Sequence, residues 1–288
     1  MTGADENRAR LLVSCPDRHG IVAAVSAFLL EQNANIIDSD QHSTADEGGE
    51  FFLRMEFAVD DLQRTRAALE ARFAAEVASR FAMGWRFSFV AERKRVAIFA
   101  SREDHCLLDL LWRRRRGELA MEVVAVVSNH PDPARDVELF GVPFHHIPVD
   151  PGRKEAAEAR ALELLVGQVD FVVLARYMRT LPANMVNAFR YKIINIHHSF
   201  LPAFTGGNPY ARAHDRGVKL IGATAHYATD ELDEGPIIEQ DVARVSHRQE
   251  VRDLVRIGRD IERVVLARAV SAHLDDRVLV HGNRTVVF

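Results

Sequence analysis

Residues Ile194–Phe204 read "INIHHSFLPAF" and follow the apolar stretch "YKI". A strand that only packs has no use for an amide and two imidazoles at its end, because each such group needs a hydrogen-bond partner once buried. Side chains alternate faces along a strand, so Asn195 and His197 point the same way and Ile196 the other. An amide and an imidazole one pleat apart can both reach one small polar atom, such as an oxyanion forming on a carbonyl under attack.

The chain around this stretch alternates apolar, β-rich runs with helical ones. "KRVAIFAS", "MEVVAVVSN", "PFHHIPV" and "VDFVVLARYM" are separated by segments such as "HCLLDLLWRRRR" and "KEAAEARALELLVG". That rhythm predicts an α/β domain with a doubly wound, mostly parallel, Rossmann-like sheet. Ligands bind beyond the carboxyl ends of such strands, where "NIHH" lies. Further on, "KLIGATAHYAT" and "GPIIEQDVARV" read as strands, a helix is expected from about Gln249 to His273, and "RVLVHGNRTVVF" as a hairpin.

A second polar concentration is "AHYATDELDEGPII". A strand carrying His226 runs into a loop with Asp230, Glu231, Asp233 and Glu234. A carboxylate from this loop can pair with His197 and keep it protonated, or orient or deprotonate a water. Amide, imidazole and carboxylate suit acyl transfer or hydrolysis, with water or an amine as nucleophile; a loop-capping role for the same residues stays open. A metal on His197, His198 and His226 is disfavoured, since neighbouring strand residues face opposite sides. Ser199 lacks a G-x-S-x-G elbow, and His145 and His146 have no partner motif.

The first ninety residues form a different, βαββαβ pattern. "ARLLVSCP" is a strand, "GIVAAVSAFLLEQN" an amphipathic helix, and "NIIDSDQHST" and "EFFLRMEFAV" paired strands around the turn "ADEGG". A helix over "DLQRTRAALEARFAAEVASR" and a strand "WRFSFV" complete it. Two helices on one face leave a sheet edge and the other face free for association. Asp17 to Gly20 form a strand-to-helix loop whose free N–H groups suit a carboxylate, with Asn35 near the same edge.

Composition sets outer limits. The chain has 288 residues, 48% hydrophobic and 27% charged, with net charge −4, so no basic field draws in nucleic acid or anionic membrane. "RRRR" at Arg113–Arg116, just before Gly117, reads as a helix end. Two cysteines far apart, an N-terminus unlike a secretion signal and no apolar run of membrane length predict a cytoplasmic protein.

"INIHHSFLPAF" with "GVKLIGATAHYATDELDEGPIIEQ" resembles the folate-dependent formyltransferases, and "CPDRHGIVAAVSAFL", "NIIDSDQHS" and "GGEFFLRMEF" resemble an ACT-type, ferredoxin-like regulatory domain. The two in this order resemble the 10-formyltetrahydrofolate deformylases. The resemblance implies an ACT regulatory and oligomerisation domain at 1–90, a linker at 91–95 and a catalytic domain at 96–288. It places the catalytic trio on Asn195, His197 and Asp233, with His226 supporting the acidic loop from the adjoining strand. Met178, Arg179 and Leu181 would line the folate pocket, and Thr229 and Asp230 would offer backbone contacts to the pterin; Thr180 departs from the usual apolar residue.

The implied reaction is hydrolysis of 10-formyltetrahydrofolate to formate and tetrahydrofolate, in one-carbon and purine metabolism, with no cofactor and no metal. An amino-acid effector would bind at Asp17, His19, Gly20 and Asn35, between paired ACT domains of a homo-oligomer. The alternatives are transfer to an amine such as glycinamide ribonucleotide, or a non-catalytic amino-acid sensor. Against the transferase, "FASREDHCLLDL" has no glycine to let backbone amides approach a phosphate, and it carries Glu103 and Asp104. His198 also stands where that transferase typically has Pro. Transfer to methionyl-tRNA is disfavoured by the acidic balance and the lack of an appended domain.

Overall fold

The computed structural model describes residues 5–45, 48–149, 152, 154–203 and 208–288. The chain divides into two units, one of Met1–Arg93 with Asp276–Leu279 and Val286–Phe288, the other of Lys94–Asp275 with Val280–Thr285.

In the first unit the strands are β1 (Arg8–Pro16), β2 (Asn35–Ser43), β3 (Glu50–Ala58) and β4 (Gly84–Phe89), in the antiparallel order β2-β3-β1-β4. Helix α1 (Ile21–Glu31) follows β1. Helix α2 (Leu62–Phe73) runs through a π segment (Ala74–Ala78) into the short α3 (Ser79–Phe81). The period of two along β1 and β3 sends Leu11, Val13, Leu53, Met55 and Phe57 toward the helices, where they bury with Val25, Phe28, Leu29 and Phe73. Each large apolar side chain so buried contributes about 1.5–3 kcal/mol. The "ADEGG" turn includes residues 46 and 47, which lie outside the described residues.

The edge expected to be free is β2, almost every residue of which is exposed. The opposite face is not free, which corrects the reading from sequence. Leu12, Phe52 and Arg54 are buried there, and Asp276 from the C-terminal segment pairs with Arg10 and Arg86. The reason is the chain's end, of which Asp276–Leu279 and Val286–Phe288 group with this unit.

The second unit begins with β5 (Lys94–Ala100), two strand residues of which fall inside the stretch read as linker. It continues through α4 (His105–Arg116), β6 (Met121–Ser128), α5 (Ala134–Glu138), β7 (Phe144–His146), α6 (Lys154–Leu165), β8 (Phe171–Ala175), α7 (Ala183–Ala188) and β9 (Ile193–His197). Then come α8 (Pro209–Arg216), β10 (Leu220–Tyr227), β11 (Ile237–Arg244), α9 (Val251–Leu274) and a hairpin of β12 (Val278–His281) and β13 (Arg284–Val287). The sheet order is β11-β10-β9-β8-β5-β6-β7. The five strands from β5 to β9 are parallel; all but the short edge strand β7 are largely buried and rich in Val, Ile and Ala, as crossover helices require. Strand β10 reverses, running antiparallel to both β9 and β11. Helix α9 starts on a capping box between Glu250 and Asp253 and packs on β10 and β11. The basic end of α4 caps on Gly117 (φ 77°), with Arg113 paired to Asp109 and Glu118. Among the described residues, no helix is long and apolar enough to cross a membrane.

Candidate active site

The reversal at β10 builds the site. Antiparallel pairing sets His226 directly opposite Asn195, and Thr224 opposite His197. Cross-strand partners on one face are in contact range, and Asn195 Nδ2 lies 3.1 Å from His226 Nε2. On the ring's other side, His226 Nδ1 lies 3.0 Å from the carbonyl oxygen of Tyr227. A carbonyl only accepts, so Nδ1 carries the proton and Nε2 accepts from the Asn195 amide. The buried ring of His226 thus fixes which way that amide faces.

Buried Thr224 ties down the loop after β9. Its hydroxyl donates to the Ser199 carbonyl at 2.9 Å and accepts from Leu201 N at 3.0 Å and from Gln240 Nε2 at 2.9 Å. The end of "INIHHSFLPAF" at Phe204 lies outside the described residues.

The acidic loop returns its carboxylate to this strand end. Gly235 lets the loop close: a Cβ there would sit 1.7 Å from the Tyr227 carbonyl oxygen. Asp233 adopts φ 60°, which a short polar side chain tolerates better than most. Its Oδ1 lies 3.2 Å from His197 Nδ1 and 3.8 Å from His226 Nε2. Only the first distance is within hydrogen-bond range, so His197 holds the acid. Burial by itself would raise the acid's pKa; the bond from His197 and then the nearby ring of His226 outweigh it and keep the carboxyl well below the usual aspartate range. The other ring nitrogen, His197 Nε2, is buried and has no hydrogen-bond partner.

These groups face a cavity of about 270 Å³. Asn195, His197, His226 and Asp233 line it together with Met178, Arg179, Leu181, Thr229 and Asp230. The residues suggested for an effector lie in the first unit. Asp17 accepts a hydrogen bond from the Ser43 hydroxyl at 2.5 Å, Gly20 caps α1 with φ 91°, and His19 and Asn35 are exposed.

Sequence reading missed Arg176, Leu232 and Val186, which also line the cavity. Arg176 carried a signal, a cation directly after the apolar strand "FVVLA". It also missed Glu262, an acid among the buried positions of α9. The donor atoms of His105, Cys106 and Glu262 lie within 4.8 Å of one another, a spacing a metal ion can use. The chemistry opposes it. Arg176 Nε stands 3.3 Å from Glu262 and already meets its charge, and burial raises the Cys106 thiol pKa well above its usual value.

A formyl transferase family model matches residues 94–270, and an ACT domain model matches residues 9–74. A formyltetrahydrofolate deformylase of Mycobacterium bovis is 60% identical over 97% of this chain and 90% of its own length. The chain belongs to the formyltetrahydrofolate deformylase family. The crystal structure of a formyltetrahydrofolate deformylase from Pseudomonas syringae pv. tomato superposes with a TM-score of 0.92 at 51% identity, covering 98% of this chain and 94% of that one. By contrast, a glycinamide ribonucleotide transformylase from Symbiobacterium toebii superposes at 0.65 and 32% identity, covering 69% of this chain and 96% of its own.

Proposed function

We propose that this chain hydrolyses 10-formyltetrahydrofolate to formate and tetrahydrofolate at the end of β9. The family membership supports the reaction. The observation that carries the site is the pairing of His197 Nδ1 with Asp233 at 3.2 Å while His197 Nε2 stands without a partner beside the cavity. A ring held on one side by a carboxylate is oriented and favoured in its charged form. Its free edge then donates to the oxyanion that forms when water attacks the formyl carbon, and the Asn195 amide is the second donor.

The water oxygen bonds to the formyl carbon, the carbon–N10 bond breaks, and a proton passes to N10 through the His197–Asp233 pair. Asp233, held ionised, positions the water and balances the charge on His197. The pterin occupies the groove along Met178, Arg179 and Leu181, against the backbone of Thr229 and Asp230. The reaction needs no cofactor and no metal, so a chelator leaves the rate unchanged. In the first unit an amino acid binds near Asp17, His19, Gly20 and Asn35, and these units pair in a homo-oligomer. We place the protein in the cytoplasm.

The test is formate release from 10-formyltetrahydrofolate with and without glycinamide ribonucleotide. Formate in both tubes is expected; formylated ribonucleotide, with no formate when it is withheld, overturns the reading. Removing residues 1–90 is expected to reduce the number of chains per particle in light scattering.

A further inference from the structure

A second cavity, of about 230 Å³, adjoins the first and is lined by Glu103, Asn208, Tyr210, Val255, Arg259 and Glu262 among others. Arg176 and His198 line both cavities, so these two side chains form the partition between them. Arg176 is placed there against local preference. Its φ is 64°, in the left-handed region where a Cβ is strained. Its side chain is only 12% exposed, and Nε and Nη1 have no hydrogen-bond partner.

What holds the guanidinium is the charge of Glu262, 3.3 Å from Nε. Glu262 is itself fixed, because its Oε1 takes the Tyr210 hydroxyl at 2.5 Å and its Oε2 meets His105 Nε2 at 2.9 Å. Gly258, one turn earlier on α9, makes room for this arrangement: a Cβ there would lie 2.0 Å from Tyr210 Oη. A strained backbone and a buried cation on the wall of a reaction cavity call for a reason beyond packing.

We propose that Arg176 determines the nucleophile, by closing the catalytic cavity on this side to anything larger than water. The proposal rests on the hydrolytic reading above. Its side chain fills the opening through which an amine in the second cavity would reach the formyl carbon, and its charge repels a protonated amine. Without it the two cavities join. An amine nitrogen then bonds to the formyl carbon, the carbon–N10 bond breaks, and the proton lost by the amine ends on N10, giving a formylated amine and tetrahydrofolate.

The experiment supplies 10-formyltetrahydrofolate and glycinamide, and measures formate and N-formylglycinamide by mass spectrometry. Wild type is expected to release formate alone. Arg176→Gly, which the backbone accommodates without strain, is expected to raise the ratio of N-formylglycinamide to formate by about tenfold or more, and Arg176→Lys by less. Arg176→Gly with Glu262→Gln also removes the carboxylate charge that Arg176 faced, so it repeats the comparison without that charge. An unchanged ratio in folded variants overturns the proposal. So does a folded Arg176→Gly that makes neither product, because Arg176 then acts on the reaction itself. A wild type that releases no formate overturns the hydrolytic reading instead, before any variant is compared.

Discussion

Two polar networks in this molecule, each built around buried charged or polar groups, use the same kinds of residue to opposite ends. On the sheet of the first unit, Arg54 meets Asp38 at 2.9 Å and Glu56 at 3.2 Å, Arg10 meets Glu56 at 3.0 Å, and Arg86 meets Asp276 at 2.6 Å. There every charge faces an opposite charge. At the end of β9, Asp233 is held by His197, yet the far edge of that ring faces a cavity with no protein group to bond. This second network is left incomplete at a residue that lines a cavity, so what distinguishes the two is a buried ring nitrogen with no hydrogen-bond partner.

That contrast breaks if Asn195→Ala retains formate release. The expected effect is the largest here, a fall in kcat of about 10²–10³, or ~2.7–4 kcal/mol, as for loss of one oxyanion donor. Arg54→Met should do the reverse. It removes the bonds to Asp38 and Glu56, though Arg10 still meets Glu56, and lowers the stability of the first unit by about 1–3 kcal/mol in denaturant titration, with formate release per folded molecule unchanged.

The third prediction concerns His198 on the partition. Burial, then the nearby charges of Arg176 and His197, push its pKa down to about 3. An unfolded histidine takes up a proton below about pH 6.5. Between there and pH 3 the unfolded state binds more protons at this position than the folded state does, so stability falls as pH falls. The slope from this one group approaches about 1.4 kcal/mol per pH unit. His198→Gln is expected to remove that part of the acid slope in melts from pH 7 to pH 4; parallel curves for the two proteins would sink the idea.

The smallest expected effect sharpens the reading of His226. His226→Gln replaces an aromatic acceptor with an amide that can still accept from Asn195. His226→Leu removes the acceptor, and should lower kcat by up to roughly tenfold, the worth of one hydrogen bond of about 0.5–1.5 kcal/mol. KM should hardly move, since the ring acts through Asn195. A KM change as large as the kcat change would assign His226 to substrate binding instead.

The strand rhythm was legible because burial on both faces demands near-continuous Val and Ile runs, and β8, with every residue buried, shows the consequence. The ferredoxin-like order of the first unit followed from period-two alternation in β1 and β3. What stayed hidden has a common cause. The covering of that sheet by Asp276 depends on a segment far along the chain, and no local pattern reports where a C-terminus folds back. Glu262 and Tyr210 lie 52 positions apart and meet only because α8 and α9 pack together.

The residue types and their alternation determined, without coordinates, that an amide and an imidazole at Asn195 and His197 share one face, and that carboxylates follow His226 on a loop. Tertiary structure decided which acid meets the ring, which way the amide is turned and where the wall stands. The reversal of β10 set His226 opposite Asn195, the close approach at Gly235 returned Asp233 to His197, and Glu262 fixed Arg176 between two cavities. Alternation is a property of one strand. Register, loop closure and charge pairing arise only when distant segments pack, and they settle distances that spacing along a chain does not contain.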